Sequence, residues 1–493
     1  MQSKQHPKQI GPVNSWNDVA IVALLVCGAL VGCEGGDKDA DDAGADGEDT
    51  SGDTDTDTDT DTDTDTDADT DADTDTDADT DADTDFDAGT GEGGSRASEL
   101  VCVPDESGEV PQDRPSYGNW RKIELPDTYC SNGSQYKFFV KFSKTSNNVL
   151  IMFEPGGACW DYLSCSGEGG IRGAANPNGI PDNHMTMWDM AYPLLGSITN
   201  AGSVAKKWNQ VFIPYCTGDI YAGDKVMSYT SEDGEKTIEY RHVGHANMMA
   251  VIPWLDEQFK DIPRMLVSGC SAGGTGSLVN YFFLREDLKG LQCGYMLDDS
   301  GPIFPSDGPS AQLHAKIRES WNLDPMIIEM EDELGEDLVD ELLEDFGAIN
   351  TMLADRYPKD RLSIAYFRLD LNYSLYSYER FYDFPPTQDI HDMWWEDTEA
   401  LMEEYDAYPN LSYFIPYYRS DNCSHCLGIM PTDHIVEAML ANNPYLGTEI
   451  QEESINLGKY IHHLLDDEAP LKSYLESVKP QEGFSEAEAD SCQ

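Results

Sequence analysis

The segment Pro263–Gly276 (PRMLVSGCSAGGTG) decides the fold, because an apolar run passes directly into a turn of small residues. Pro263–Ser268 is typical of a buried strand, and Gly269–Gly273 (GCSAG) matches the pattern G-x-S-x-G. In that pattern the serine lies on a strained turn between a strand and a helix, and only small neighbours let the chain pass. A helix is predicted to follow over Ser277–Leu284. The sequence therefore predicts Ser271 as a nucleophile, with a packed glycine-rich turn as the alternative.

A second glycine-rich turn follows another strand-like run. Gln135–Phe142 (QYKFFVKF) and Asn148–Phe153 (NVLIMF) predict a hairpin that enters a sheet, and Glu154–Trp160 (EPGGACW) comes directly after it. Backbone N–H groups in such a turn can bind an anion, and in hydrolases this position builds an oxyanion hole. The N–H of Ala272, next to the predicted nucleophile, would face the same oxyanion. Taken alone, a Gly-Gly pair after a strand indicates only a turn.

A serine nucleophile needs a base downstream of it. Six histidines follow Ser271, and of these His425 lies in the segment Asp421–Cys426 (DNCSHC), directly after the strand-like run Leu411–Tyr418. A loop held between two half-cystines at a strand end is a rigid mount for an imidazole ring. We therefore predict His425 as the base, and core or surface packing is the alternative for any single histidine.

The base in turn needs an orienting carboxylate, which in α/β-hydrolases lies between the serine and the histidine in the chain. Asp370 ends the strand-like run Leu362–Leu369 (LSIAYFRL) and is our predicted acid. Asp299 and Asp383 are its rivals.

These motifs also carry a resemblance. The chain resembles the pectin acetylesterase/Notum family in five segments that follow the family's order, namely Glu154–Trp160, Pro214–Asp219 (PYCTGD), Ser268–Gly276, Asp298–Gly301 (DDSG) and Cys423–Cys426 (CSHC). The resemblance implies an α/β-hydrolase fold, with a mostly parallel central sheet flanked by helices. It implies a catalytic triad of Ser271, Asp370 and His425.

The resemblance extends to further site residues. The oxyanion donors it implies are the amides of Gly156, Gly157 and Ala272. It implies the disulfides Cys130–Cys216 and Cys159–Cys165, and a reaction without a metal or organic cofactor. The activity it implies is the removal of O-acetyl groups from a polysaccharide. A lipid or protein deacylase with a larger apolar acyl pocket is one alternative, and a catalytically inactive surface binding module is another.

Net charge excludes two classes of function. The 493-residue chain has a formal net charge of −62, so it lacks the clustered cations that bind nucleic acid or an anionic lipid surface. Residues 96–493 alone have a net charge of −37, which repels polygalacturonate and favours a neutral or methyl-esterified glycan. Within this region the acidic helical pattern at residues 325–358 predicts an insertion or cap on one face of the sheet, with a lid over the active site as the alternative. We expect residues 96–493 to form one esterase domain that acts as a monomer.

The N-terminal segment resembles an export signal. Ala20–Gly32 (AIVALLVCGALVG) is an apolar core of signal-peptide length, and Leu30–Cys33 (LVGC) resembles the bacterial lipobox. We expect residues 1–32 to be removed and Cys33 to be lipidated, with a plain signal peptide or a buried helix as the alternative. Because Glu34 rather than Asp follows Cys33, we expect the outer membrane or cell surface.

Residues 33–95 form an acidic, low-complexity stretch. Every odd position from Asp53 to Asp87 is Asp, so the chain cannot bury apolar area and its charges repel one another. We expect a disordered spacer. The alternative is calcium binding, but calcium loops need a turn glycine and a terminal bidentate carboxylate, which do not recur here.

Ten cysteines remain after Cys27 and Cys33, and an even number in an exported chain indicates disulfides. The rival is a zinc site. It is disfavoured because Cys423 and Cys426 alone have metal-type spacing.

Overall fold

The fold was analysed in a computed structural model, which describes residues 101–168, 173–186, 188, 194, 204–382, 387–419, 424–429 and 447–477. The strands in these residues are β1 (Trp120–Ile123), β2 (Phe138–Lys141), β3 (Val149–Phe153), β4 (Asn209–Ile213), β5 (Lys225–Thr230), β6 (Thr237–His242), β7 (Ile262–Cys270), β8 (Leu291–Asp299), β9 (Arg361–Ala365), β10 (Leu411–Ile415) and β11 (Tyr474–Leu475). The helices are α1 (Tyr162–Ser166), α2 (Gly244–Gln258), α3 (Ala272–Asp287), α4 (Ala311–Trp321), α5 (Asp324–Ile328), α6 (Glu331–Leu334), α7 (Glu336–Glu344), α8 (Ile349–Arg356), α9 (Leu371–Tyr378), α10 (Thr387–Asp406) and α11 (Leu457–Leu464).

Nine of these strands form one sheet in the order β1-β2-β4-β3-β7-β8-β9-β10-β11. The first two pairings, β1 with β2 and β2 with β4, are antiparallel, and all the later pairings are parallel. Strands β3, β4, β9 and β10 are buried along their whole length, as expected for a sheet whose two faces are covered. The remaining strands, β5 and β6, form a separate antiparallel hairpin.

Helices pack against this sheet. Helix α3, which follows the G-x-S-x-G motif, contacts β7, β8 and β3, while α10 contacts β10 and α11 contacts β9. The predicted α/β-hydrolase-like architecture, a mostly parallel sheet flanked by helices, is confirmed. Within the described residues, every helix falls short of the combination of length and hydropathy that a bilayer span requires.

The predicted hairpin of residues 135–142 and 148–153 is wrong. Strand β4 lies between β2 and β3, antiparallel to β2 and parallel to β3. The reason lies in Asn209 at the start of β4. Its side-chain amide donates to the carbonyls of Ser146 and Asn148 and accepts the N–H of Ser143, so the loop from β2 to β3 binds β4 instead of forming a tight turn. The hairpin partner of β2 is β1.

The predicted helical insertion lies between β8 and β9, and it is divided into short helices. Gly335, with φ of +84°, ends α6, and Asp345 ends α7 in an extended conformation. Most apolar side chains of the insertion, among them Val339 and Leu342 on α7, are buried in the core, whereas Ile328 and Leu338 are exposed. Its acidic residues are mostly exposed, as its amphipathic pattern indicates.

Candidate active site

Ser271 lies at a sharp turn between β7 and α3. Its backbone has φ of 56° and ψ of −126°, a strained conformation for a residue with a side chain, and its N–H donates to the carbonyl of Asp299 (2.8 Å). The flanking glycines are needed for close approach. A Cβ on Gly269 would lie 2.3 Å from the carbonyl oxygen of Gly273, and a Cβ on Gly273 would lie 2.3 Å from that of Phe153. The sequence pattern therefore corresponds to a nucleophile elbow.

The turn after β3 lies beside the nucleophile. The Ser271 hydroxyl donates to the carbonyl oxygen of Gly156, with 3.3 Å between the oxygens. Because this peptide is trans, the N–H of Gly157 points in the opposite direction to that carbonyl, away from the Ser271 hydroxyl. The Ala272 N–H begins α3 and has no acceptor within its own helix. Of the three predicted oxyanion donors, the Ala272 amide is compatible with this arrangement, and Gly157 would have to turn its peptide to donate there.

A buried carboxylate holds this turn in place. Glu154 accepts the backbone N–H of Tyr215 and the side-chain amide of Asn176, each at 2.7 Å. The carbonyl of Glu154 accepts the hydroxyl of Tyr221 (2.8 Å). A Cβ on Gly156 would meet the ring of Tyr215 at 2.4 Å, so the turn packs tightly against this aromatic side chain.

The carboxylate of Asp370 contacts two hydrogen-bond donors, one with each oxygen. One carboxylate oxygen accepts the backbone N–H of Tyr373 (2.9 Å) and so caps α9, while the other lies 2.8 Å from Nδ1 of His425. The side chain of Asp370 is fully buried. The hydroxyl of Tyr373 also lies 3.0 Å from that of Thr275, on the helix that begins at the nucleophile. Asp370 therefore orients the imidazole ring from a helix that is hydrogen-bonded to the nucleophile's helix.

The electrostatics of His425 suit a general base. Burial disfavours the charged ring, but the charge of Asp370, its hydrogen bond and the charge of Asp299 outweigh burial and raise the pKa of His425 above its usual value. Proton transfer from a serine leaves a positive imidazolium, which is the form that these carboxylates stabilise.

A disulfide between Cys270 and Cys426 joins the segments of the predicted nucleophile and the predicted base. Cys270 immediately precedes Ser271, Cys426 immediately follows His425, and their Cα atoms are 5.5 Å apart. Sequence reasoning missed this bridge, although the positions of the two cysteines beside the predicted nucleophile and base were a usable signal. Because Cys426 is oxidised, it cannot supply the thiolate of a zinc site, and Cys423 lies outside the described residues.

Three further disulfides are present in the described part of the chain. Cys130–Cys216 and Cys159–Cys165 are the two pairs that the resemblance implied, and Cys102–Cys293 was not predicted. The cluster of Cys159, Cys165 and His242 has metal-like spacing, but its cysteines form a disulfide. Cys33 and the acidic spacer at residues 33–95 lie outside the described residues, as does Cys492.

The rival site residues have other surroundings. The carboxylate of Asp299 accepts the backbone N–H groups of Leu427 and Gly428 instead of contacting the imidazole ring. These two residues belong to the histidine loop, the described residues 424–429 around His425. Asp383 lies outside the described residues. His314 is buried near Phe346, and His462 and His463 are exposed on α11.

Comparison with known proteins finds a similarity in the part of the chain that contains the nucleophile elbow. Residues 119–331 match the family model for pectinacetylesterases, a range that includes the elbow and the turn after β3. In this region the chain is similar to the pectinacetylesterases. The matched range ends before Asp370 and His425, so the model covers only the nucleophile among the three predicted triad residues.

Individual relatives come from animals and plants. Palmitoleoyl-protein carboxylesterase Notum of Mus musculus is 26% identical over 200 residues, which are 40% of this chain and 34% of the mouse protein. Pectin acetylesterase 4 of Arabidopsis thaliana is 26% identical over 190 residues, which are 37% of this chain and 43% of the plant protein. The chain thus matches about a third of the length of mouse Notum. A crystal structure of the Wnt deacylase Notum from Drosophila aligns with a TM-score of 0.45 and 17% identity, covering 72% of this chain and 96% of that one.

The contact between Asp370 and His425 predicts a pH profile. A base must be neutral to accept a proton, so activity should fall as the pH drops through a pKa above about 6.5, the usual value for His. Asp370→Asn removes the charge that raises this pKa, so the acid limb of kcat/KM should move to lower pH. In the same variant kcat should fall by about 10⁴-fold, as when the corresponding carboxylate of other serine hydrolases is neutralised.

The matched control is Asp355→Asn, which neutralises an exposed carboxylate on α8 and should alter neither quantity. Initial rates on an activated ester from pH 4 to pH 9 provide the measurement. An acid limb that stays in place in Asp370→Asn would mean that Asp370 does not set the pKa of the base.

Proposed function

We propose that this protein is a serine carboxylic-ester hydrolase that removes O-acetyl groups from a polysaccharide. The observation that carries the proposal is the buried His425–Asp370 pair, joined through the Cys270–Cys426 disulfide to the residue before Ser271. A catalytic triad of nucleophile, base and orienting carboxylate performs acyl transfer in proteins of many different folds. The match to the pectinacetylesterase family model supports the same reaction class.

The proposed mechanism has two half-reactions. His425 takes the proton of the Ser271 hydroxyl as the oxygen attacks the ester carbonyl, and a tetrahedral oxyanion forms beside the Ala272 N–H. The carbon–oxygen bond to the sugar then breaks, and the imidazolium gives its proton to the departing hydroxyl. A water molecule, deprotonated by His425, attacks the acyl-enzyme and releases acetate and free Ser271. Asp370 stays ionised throughout and stabilises the imidazolium.

Charge narrows the class of glycan. The region of residues 96–493 has a net charge of −37, so it repels a polyanion such as unesterified polygalacturonate. A neutral or methyl-esterified acetylated glycan suits this surface better. Salt shortens the range of the repulsion, so a saline medium would widen the choice of substrate.

A second candidate is a deacylase of lipid-modified molecules, which would need an acyl-chain pocket near Ser271. An apolar cavity lies one helical turn along α3 from Ser271, with Thr275 and Tyr373 in its wall and the side chains of Ile303, Phe304, Ile317 and Trp321 around it. Its volume of about 20 Å³ has room for about one water molecule, so its side chains would have to move before an acyl chain longer than acetyl could enter. The proteins of the Notum group that resemble this chain carry the name palmitoleoyl-protein carboxylesterase.

The acyl-chain preference distinguishes these candidates. The purified protein should hydrolyse p-nitrophenyl acetate with a higher kcat/KM than the octanoate or palmitate ester, and Ser271→Ala should be inactive while keeping its fold by circular dichroism. A preference for octanoate or longer would favour the deacylase of lipid-modified molecules. Absence of activity on every ester, from a folded and oxidised sample, would favour a surface binding module.

We propose further that the protein is exported and anchored at the cell surface through a lipid on Cys33. The support is the sequence Leu30–Cys33, which follows an apolar core of signal-peptide length. Residues 34–95, with 27 acidic residues and one basic residue, would then act as an extended spacer between membrane and enzyme.

Substitution of single cysteines tests the anchor. In a Gram-negative host, Cys33→Ser should abolish incorporation of labelled palmitate and remove the protein from the membrane fraction. Cys27→Ser changes a cysteine within the apolar core and should leave both unchanged. Labelled palmitate in the Cys33→Ser protein would contradict the proposed lipidation site.

A further inference from the structure

Three consecutive backbone N–H groups of the histidine loop, those of residues 426–428, donate hydrogen bonds to the side chains of Asp299 and Ser300 at the end of β8. The N–H of Cys426 donates to the hydroxyl of Ser300 (3.0 Å). The N–H groups of Leu427 and Gly428 donate to the two carboxylate oxygens of Asp299, at 2.9 and 2.6 Å. The Ser300 hydroxyl donates in turn to Asp299 (3.0 Å), so the two side chains form one unit.

This unit also contacts the segments that bear the nucleophile and the acid. The carbonyl of Asp299 accepts the N–H of Ser271 (2.8 Å), and the N–H of Ser300 donates to the carbonyl of Ala365, the last residue of β9 (2.7 Å). Residues 299–300 therefore bind directly to the nucleophile, to the strand that leads to Asp370 and to the loop that bears His425. Neither side chain touches the imidazole ring in any contact that the structure shows.

The histidine loop needs such support because its backbone is strained. Ser424 has φ of 54° and Cys426 has φ of 64°, so residues in the left-handed region lie on both sides of His425. Such conformations persist only where the surroundings hold them in place. The Cys270–Cys426 disulfide limits the distance between the residue before Ser271 and the residue after His425. Because its single bonds can rotate, it does not by itself fix the orientation of the histidine loop. The three amide hydrogen bonds supply the orientation.

We propose that Asp299 and Ser300 are positioning residues, which fix the loop after His425 and so keep the imidazole ring in register with Asp370 and Ser271. This inference rests on the proposed esterase function and deepens it. Two physical properties agree with it. Both side chains are buried, with at most 1% of either residue exposed, and their hydrogen-bond acceptors are directed at backbone amides. Burial raises the pKa of Asp299 to about 6 and the amide donors oppose this rise, so Asp299 is mostly ionised at neutral pH.

The test compares Asp299→Asn, Ser300→Ala and a matched control. Asn keeps the size of Asp but places an N–H₂ group against one of the amides, so the loop must shift. We expect kcat, normalised to active sites titrated with a phosphonate ester, to fall by about 10- to 100-fold, with KM changed by less than about 3-fold. Ser300→Ala removes one acceptor and should lower kcat in the same way but by less.

The control is Asp360→Asn. Asp360 is also buried and accepts a backbone N–H, that of Gly294 (3.1 Å), but it immediately precedes β9, at the opposite edge of the sheet from the site. Its substitution should lower the melting temperature while leaving kcat per titrated site unchanged. If Asp299 had only a structural role, Asp299→Asn would behave like this control.

Proton NMR provides a readout that needs no substrate. A proton shared between His425 Nδ1 and Asp370 gives a far-downfield signal, which should be present at low pH in the parent protein and in Asp360→Asn. We expect it to weaken or disappear in Asp299→Asn and Ser300→Ala. An unchanged signal together with an unchanged kcat in a folded Asp299→Asn or Ser300→Ala protein would overturn the inference. An inactive parent protein would instead count against the proposed esterase function, and the signal would still report on the positioning role.

Discussion

The close approach of Gly273 to the carbonyl of Phe153 is the constraint on which the site depends. Because a Cβ at this position would lie 2.3 Å from that oxygen, helix α3 can begin directly against the end of β3 only if residue 273 has no side chain. This approach brings Ser271 next to the turn at Gly156. The strained backbone of Ser271, with φ of 56°, is a consequence of the same short turn.

The parallel sheet extends this constraint to the other predicted catalytic residues. Strands β3, β7, β8, β9 and β10 are neighbours that run in one direction, so the segments after them meet at the same edge. The turn at Gly156 follows β3, Ser271 follows β7, and Asp370 and His425 follow β9 and β10. Burial at this edge strengthens the electrostatic contact between Asp370 and His425, whose interacting atoms are 2.8 Å apart. The carboxylate therefore raises the pKa of His425 even though desolvation acts to lower it.

Local sequence patterns predict the parts of this arrangement that depend on neighbouring residues. The elbow at Ser271 could be predicted because G-x-S-x-G between a strand and a helix has a clear steric explanation. The mostly parallel sheet was expected from the family resemblance. Asp370 was singled out because it ends a strand-like run, and the structure places it against His425. The strand order was harder, because Ser146 in the loop between β2 and β3 binds the side chain of Asn209, 63 residues away in the sequence.

Long-range contacts account for what the sequence did not reveal. The Cys270–Cys426 bridge spans 156 residues, and no spacing rule pairs cysteines at such a distance. Asp299 was a rival for the triad because it ends a strand next to the nucleophile. Only the structure shows that its carboxylate faces backbone amides at residues 427 and 428 rather than an imidazole.

The central claim is that Ser271 becomes acylated. Rapid mixing of the protein with an activated acetyl ester, an acid quench and mass spectrometry of the peptides would test it directly. The account predicts one acetyl group, on Ser271, that accumulates in the parent protein and is absent from Ser271→Ala. Acetylation of another residue during turnover, or turnover without any acyl-enzyme on Ser271, would contradict it.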